Sequence, residues 1–114
     1  MQIYRYGNAE GDIVLVQPVG DHDISEIKDE VAEIQSLTSI DFEFIAVKVD
    51  HWNQELSPWK ASAVFGNEDF GNGAAQTLEE ISLLCADKNK TYYIGGYSLS
   101  GLFSLWAACQ TDIF

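Results

Sequence analysis

The chain has 114 residues, of which 46% are hydrophobic and 21% charged, enough for one compact core and too few for two. Its 18 acidic and 6 basic residues give a net charge of −12, which repels nucleic-acid phosphates and anionic lipid surfaces. We therefore expect one globular domain, residues 1–114, that has neither nucleic acid nor a membrane as its partner.

Two cysteines, Cys85 and Cys109, fall in stretches with helical spacing. Two thiols in a domain that needs no disulfide fit a reducing compartment. The first residues contain no apolar run of signal-peptide length, and nowhere do about 18 apolar residues follow one another. These features predict a soluble, cytoplasmic protein.

The first part of the chain alternates extended and helical patterns. Residues 2–6 can form a short strand, and residues 12–17 contain a continuous apolar run typical of a strand buried on both faces. Apolar residues then recur at three- and four-residue spacing, which predicts a helix over 24–37 with Asp23 as its N-cap. A second core strand is predicted at 42–49, where β-branched and aromatic residues favour extended backbone.

The second part begins with a long segment, 51–73, that has neither helical nor strand periodicity. Loops of that length are uncommon unless they are functional. A helix is then predicted over 74–85, a third core strand over 91–95 and a last helix from Ser100 to about Cys109. The last helix is apolar almost all round, which predicts that it is buried inside a larger body and would lose part of its cover without that body. Strand and helix alternate as in a parallel α/β domain with right-handed crossovers.

The segment GGYSLSG, residues 95–101, joins the last strand to the last helix. A serine on a tight turn between a buried strand and a buried helix suits nucleophilic acyl transfer, because the turn lifts Oγ above the sheet and the helix N-terminus faces developing negative charge. Gly96 stands two residues before Ser98, whereas Ser100 replaces the second glycine of the usual G-x-S-x-G pattern and is followed by Gly101. The pattern predicts a nucleophile elbow at Ser98.

Two other interpretations of this segment fit its residues less well. Ser100 is the poorer nucleophile, because Leu102 would crowd the backbone approach that an elbow needs. A glycine-rich turn between strand and helix can also bind phosphate or a nucleotide, but this one lacks both the G-x-G-x-x-G spacing and the lysine of a P-loop.

Three segments together carry a family resemblance: IGGYSLSGLFSLWA at 94–107, WNQELSPW at 52–59 and FGNG at 70–73. With the strand order, they resemble the α/β-hydrolase serine esterases, in particular the putative esterase group with S-formylglutathione hydrolase-like and siderophore-esterase-like enzymes. The resemblance covers nearly the whole chain. It implies a three-layer αβα sandwich with a mostly parallel sheet, of which the chain would be the N-terminal portion, truncated after the elbow helix.

The resemblance also implies how the site works. Ser98 would attack an ester or thioester carbonyl of a small molecule and form an acyl-enzyme. Two backbone amides would form the oxyanion hole: that of Leu99, and one from the loop after the first core strand. Within that loop Val19 is the choice, because Pro18 has no amide hydrogen.

Aromatic residues of the long segment are candidates for the wall of an acyl or alcohol pocket, since apolar walls with few polar groups are typical of such sites. They could equally be core cover for a long loop. These residues are Trp52, Trp59, Phe65 and Phe70.

The triad acid and base are not assigned. In this fold they follow the serine, yet only Asp112 follows Ser98 as an acid and no histidine does. Asp112 comes too soon after the elbow helix. His22 and His51 precede the serine, fit solvated loop positions and lack the spacing of a zinc site, so we expect no metal and no cofactor.

Two functions therefore remain in view: a serine esterase, or an N-terminal fragment of one, and a non-catalytic hydrolase-like domain that binds a small ligand or a partner chain. A nucleotide-binding domain is a third alternative. In the family's strand order the strand at 91–95 is central, and here its outer side would be bare. A buried-type strand at an edge favours pairing with another chain, which predicts a homo-oligomer.

Overall fold

A four-stranded mixed sheet forms the centre of the computed structural model, which describes all 114 residues. The strands are β1 (Gln2–Gly7), β2 (Ile13–Val19), β3 (Phe42–Lys48) and β4 (Thr91–Ile94), in the order β1-β3-β2-β4. β2 is parallel to both β3 and β4, whereas β1 is antiparallel to β3. The predicted α/β class is confirmed, and β1 makes the sheet mixed.

Four α-helices accompany the sheet: α1 (Ile27–Leu37), α2 (Trp52–Glu55), α3 (Ala74–Leu84) and α4 (Leu99–Gln110). Of these, α2 lies in the segment that showed no periodicity, and the sequence did not predict it. No helix of the chain has the length and the apolar character that crossing a bilayer requires.

The start of the first helix differs from the prediction. A 3-10 helix occupies Asp21–Glu26, so the α-helix begins only at Ile27. Asp23 is therefore not the N-cap of α1. Its carboxylate instead accepts a hydrogen bond of 3.0 Å from the amide of Gly20 at the entry to the 3-10 helix. Asp23 therefore accepts a hydrogen bond from an amide at the start of the 3-10 helix, not at the start of α1 as expected.

Two apolar clusters lie on opposite faces of β3, because its successive side chains alternate between the faces. Phe44 and Ala46 pack with α1 residues in one cluster. Ile45 and Val47 belong to the other, which also contains residues of α3 and α4. All four are at most 1% exposed, so β3 is the strand around which the core is built.

The outer side of α4 is not covered. Phe103 and Ala107 face the core and are fully buried, whereas Leu102 is 46% and Leu105 72% exposed. The last helix is therefore covered on one side only, which agrees with the expected loss of part of its cover. Both cysteines are free, Cys109 exposed and Cys85 buried, and burial raises the pKa of the Cys85 thiol to about 11.

The buried ring of Phe44 gives a test of this core. We expect Phe44→Ala to lower the free energy of unfolding by about 3–5 kcal/mol, because it leaves a cavity that the sheet cannot fill by collapsing. Leu37→Ala, at a side chain that is 78% exposed, should change it by less than about 0.5 kcal/mol. Urea unfolding followed by circular dichroism measures both; equal effects would contradict this description of the core.

Candidate active site

The connection between β4 and α4 is a sharp turn of four residues, 95–98, that ends on a strained serine. Ser98 has φ 57° and ψ −125° and is the only non-glycine residue with a positive φ. Such a conformation costs about 1–3 kcal/mol and persists only where the surrounding structure holds it. The side chain of Ser98 is exposed and does not cap α4. The turn therefore presents a free hydroxyl at the carboxyl end of β4.

Close packing between the turn and the first turn of α4 holds this conformation. A Cβ added to Gly96 would lie 2.1 Å from Ser100 Oγ and 2.7 Å from the carbonyl carbon of Ser100. One added to Gly101 would lie 3.0 Å from the carbonyl oxygen of Gly96. Only a glycine fits at 96, and the helix can approach the turn because position 101 carries no side chain.

Ser100 joins the elbow to the end of β2. It is 1% exposed, and its Oγ donates a hydrogen bond of 2.6 Å to the carbonyl oxygen of Pro18. Its own carbonyl oxygen accepts a hydrogen bond of 2.8 Å from Ser104 Oγ. The bond from Ser100 to Pro18 holds the strained turn beside the last residues of β2, whereas the bond from Ser104 lies within α4.

The amide of Leu99 has the properties expected of an oxyanion donor. Leu99 is the first residue of α4, and the first amides of a helix have no intrahelical acceptor. The neighbouring amides are used, since Ser100 N–H bonds to Tyr97 O and Leu102 N–H to Ser98 O, each at 3.1 Å, but the amide of Leu99 bonds to no backbone oxygen. It remains free beside the Ser98 hydroxyl.

The choice of Val19 for the second donor is wrong. β2 continues to Val19 rather than ending at Gln17, and the carbonyl oxygen of Val19 accepts a hydrogen bond of 2.9 Å from Val49 N–H. In an extended strand the N–H and C=O of one residue point to the same side, so the Val19 amide faces β3. Alternation turns the next amide, that of Gly20, toward the elbow.

The Gly20 amide is engaged within the chain, because it donates to the carboxylate of Asp23 at 3.0 Å. An oxyanion would need the same donor. The Asp23 carboxylate therefore has to turn away before Gly20 can stabilise negative charge on a substrate.

A cavity of about 420 Å³ opens beside Ser98. The predicted wall residues Trp52, Phe65 and Phe70 line it, whereas Trp59 does not and is 59% exposed. The further lining residues are Asn53, Val64, Leu99 and Leu102.

Two features of the long segment bring this wall together. The helix α2 carries Trp52, and an antiparallel bridge joins Ala61 to Phe70, with Phe70 N–H donating to Ala61 O at 2.8 Å. The loop inside the bridge carries Val64 and Phe65. Asn53 Nδ2 donates to the carbonyl of Glu68 at 3.0 Å and ties α2 to this loop. No sequence periodicity signals such a bridge, so Val64 and Asn53 were missed.

The histidines and Asp112 do not line the cavity beside Ser98. The His22 ring packs edge-on against Trp52 at 4.7 Å between centroids, and its Nε2 lies 3.3 Å from Asp23 Oδ2. His51 is exposed. Asp112 lines a different cavity, next to Cys85. No three His, Cys, Asp or Glu side chains are placed to hold a metal ion.

Comparison of the chain with protein-family models, with curated proteins and with solved structures finds no match. No family is therefore assigned on that ground, and the function is argued from the geometry of the site.

The backbone strain at Ser98 predicts an unusual order of stabilities. We expect Ser98→Gly to be more stable than Ser98→Ala by about 1 kcal/mol, because both variants lose the hydroxyl but only glycine accepts a positive φ at little cost. Thermal unfolding followed by calorimetry compares the two proteins directly. If Ser98→Ala were the more stable variant, residue 98 would not occupy the strained conformation.

Proposed function

We propose that the chain is a serine carboxylic-ester hydrolase of the α/β-hydrolase type, or part of one, which acts through an acyl-enzyme on Ser98. The backbone of Ser98 carries this proposal. Ser98 is exposed and has a positive φ, on a turn between a core strand and a helix with one buried side. This conformation lowers the stability of the fold. It also lifts a nucleophile clear of the sheet.

In the proposed reaction, Ser98 Oγ forms a bond to the carbonyl carbon of an ester or thioester. Its proton passes to a base, the carbonyl oxygen takes the negative charge, and the alcohol or thiol leaves with a proton. Water then hydrolyses the acyl-enzyme. The Leu99 amide, and the Gly20 amide once Asp23 releases it, would donate to the oxyanion, each contributing about 3 kcal/mol of transition-state stabilisation.

The cavity beside Ser98 supports an uncharged substrate with an apolar acyl or alcohol group. Trp52, Phe65 and Phe70 offer aromatic surface, and Asn53 is the only amide side chain in the wall. The net charge of −12 repels anionic substrates over a distance of about 10 Å. We therefore propose a small apolar ester or thioester as the substrate class.

The family proposal also extends the fold. Apolar clusters on both faces of β3, one with α1 and one with α3 and α4, support a three-layer αβα arrangement. The parallel pairs β2–β3 and β2–β4 support a sheet in which the hydrolase-type strands are parallel and β1 is the antiparallel addition.

A non-catalytic, hydrolase-like binding domain is the second candidate. The observation that favours it is the position of His22, whose contacts are Asp23 and Trp52 rather than Ser98. A hydroxyl without a base is a weak nucleophile. In that case the same cavity would bind a small apolar ligand without converting it.

A fluorophosphonate probe separates the two candidates. The Ser98 Oγ would displace fluoride from phosphorus, with the hydroxyl proton passing to the base, and leave a stable phosphonyl-serine. We expect labelling of the wild type and none of Ser98→Ala.

The control is Ser39→Ala. Ser39 is exposed and precedes the amino end of β3, whereas the elbow follows the carboxyl end of β4, at the other end of the parallel strands. This variant should be labelled like the wild type. Intact-protein mass spectrometry measures the mass added. An unlabelled wild type would exclude an activated Ser98 and favour the binding domain.

We also propose that the edge of β4 pairs with a second copy of the chain. Thr91 N–H bonds at 2.7 Å to Asp12 O, just before β2, and Gly95 N–H bonds at 3.1 Å to Val16 O within β2. By alternation, the N–H and C=O groups of Tyr92 and Ile94 face away from the sheet. Residues 91–97 carry no charge. Apolar hollows of about 340 and 190 Å³ flank the edge, and Tyr93 lines both.

A lysine at the edge tests this pairing. We expect Tyr93→Lys to shift the self-association equilibrium toward the monomer, since charges on edge strands oppose pairing. Leu83→Lys makes the same kind of change at a side chain that is 76% exposed on α3 and should leave the equilibrium unchanged. Light scattering over a concentration series reports the mass, and a wild type that stays monomeric throughout would refute the pairing.

A further inference from the structure

Ser100 occupies the position at which the nucleophile-elbow pattern usually has its second glycine. Its side chain does not point to solvent: the residue is 1% exposed. The Oγ donates to the carbonyl oxygen of Pro18 at 2.6 Å, between residues that are 82 positions apart in the chain. This buried hydrogen bond therefore joins the first turn of α4 to the end of β2, two segments that are far apart along the chain.

The geometry of the sheet explains why Pro18 needs this donor. Along β4, Thr91 N–H bonds to Asp12 O and Gly95 N–H to Val16 O. Two residues further on, the same parallel ladder would bring the amide of Tyr97 to Pro18 O. The chain has already turned into the elbow there, so no backbone amide is available, and the hydroxyl of Ser100 takes its place.

The position of Ser100 links this bond to the chemistry. Ser100 is the second residue of α4, directly after Leu99 and two residues after Ser98. Pro18 is two residues before Gly20, whose amide faces the elbow. One hydrogen bond therefore sets the spacing between the nucleophile and the strand end that carries the second oxyanion donor.

We propose that Ser100 is a positioning residue for acylation, which fixes the end of β2 against the nucleophile elbow through the Pro18 carbonyl. This inference rests on the esterase function proposed above for Ser98. Ser100, which stands where the pattern usually has glycine, then contributes to the reaction. Loss of its hydroxyl slows the attack of Ser98 on the carbonyl without weakening substrate binding.

The test compares two buried serines of the same helix. Ser100→Ala removes the bond to Pro18, whereas Ser104→Ala removes a bond to the helix backbone only. Ser104 is 6% exposed and does not line the Ser98 cavity. Both variants lose one buried hydroxyl and should unfold at similarly lowered denaturant concentrations.

The two variants should differ in reactivity. We expect the rate constant for fluorophosphonate labelling, and kcat for a p-nitrophenyl ester, to fall about tenfold or more in Ser100→Ala. KM should stay within about twofold because the cavity wall is intact. Ser104→Ala should label at the wild-type rate. Ser100→Cys keeps the shape and a weaker S–H donor and should label at a rate between those of the wild type and Ser100→Ala.

The outcomes separate the two proposals. A wild type that is not labelled overturns the esterase function and this role with it. A labelled wild type with equal rates in Ser100→Ala, or equal losses in Ser100→Ala and Ser104→Ala, overturns the role of Ser100 and leaves Ser98 as the nucleophile. If Ser100→Ala fails to fold, Ser100→Cys decides, because a wild-type rate in that variant overturns the positioning role.

Discussion

The close approach of the β4–α4 turn to the first turn of α4 is the constraint on which the site depends. Gly96 and Ser100 are so near that a single added carbon at 96 would lie 2.1 Å from Ser100 Oγ. That close approach accompanies a tight reversal of the chain, in which Ser98 has φ 57°. The free energy of this strain, about 1–3 kcal/mol, has to come from the core around β3, where Phe44, Ile45 and Val47 are at most 1% exposed.

Elements with a strong period were predictable from the sequence. The apolar runs of β2 and β3 gave strands at the right places, and the helical spacing after Ala74 gave α3 with its start correct. The tight turn at Ser98 was predictable because such a turn needs small neighbours, and Gly96 meets that requirement locally. A steric requirement between residues this close in the chain can be recognised without the tertiary structure.

Other features depended on tertiary contacts and could not be predicted. Val19 was misplaced because the end of a strand depends on its partner, here the amide of Val49 at 2.9 Å. Trp59 looks like Trp52 in the sequence, but the bridge between Ala61 and Phe70 decides which aromatic residues reach the cavity. The bridge has no periodic signature, so a pocket wall built by it cannot be derived from spacing.

The exposed face of α4 also depends on tertiary contacts. A helix that is apolar all round is usually buried, but burial requires a neighbour, and the chain puts no element against Leu105 or against the outer edge of β4.

The strained serine follows the carboxyl end of β4, and the exposed apolar edge runs along the side of the same short strand. Both follow from how β4 is held. β4 pairs with β2 alone, so the elbow rests on one neighbouring strand and on the hydrogen bond from Ser100 to Pro18. The position of a nucleophilic side chain depends on the backbone that carries it, and a displacement of about 1 Å can lower the reaction rate about a hundredfold. A strand or partner added at the free edge would therefore do more than cover Tyr93 and Leu105. By fixing β4 from its second side, it would hold Ser98 against the amides at the end of β2, so that the proposed self-association and the proposed reactivity of Ser98 would be coupled through the strand they share.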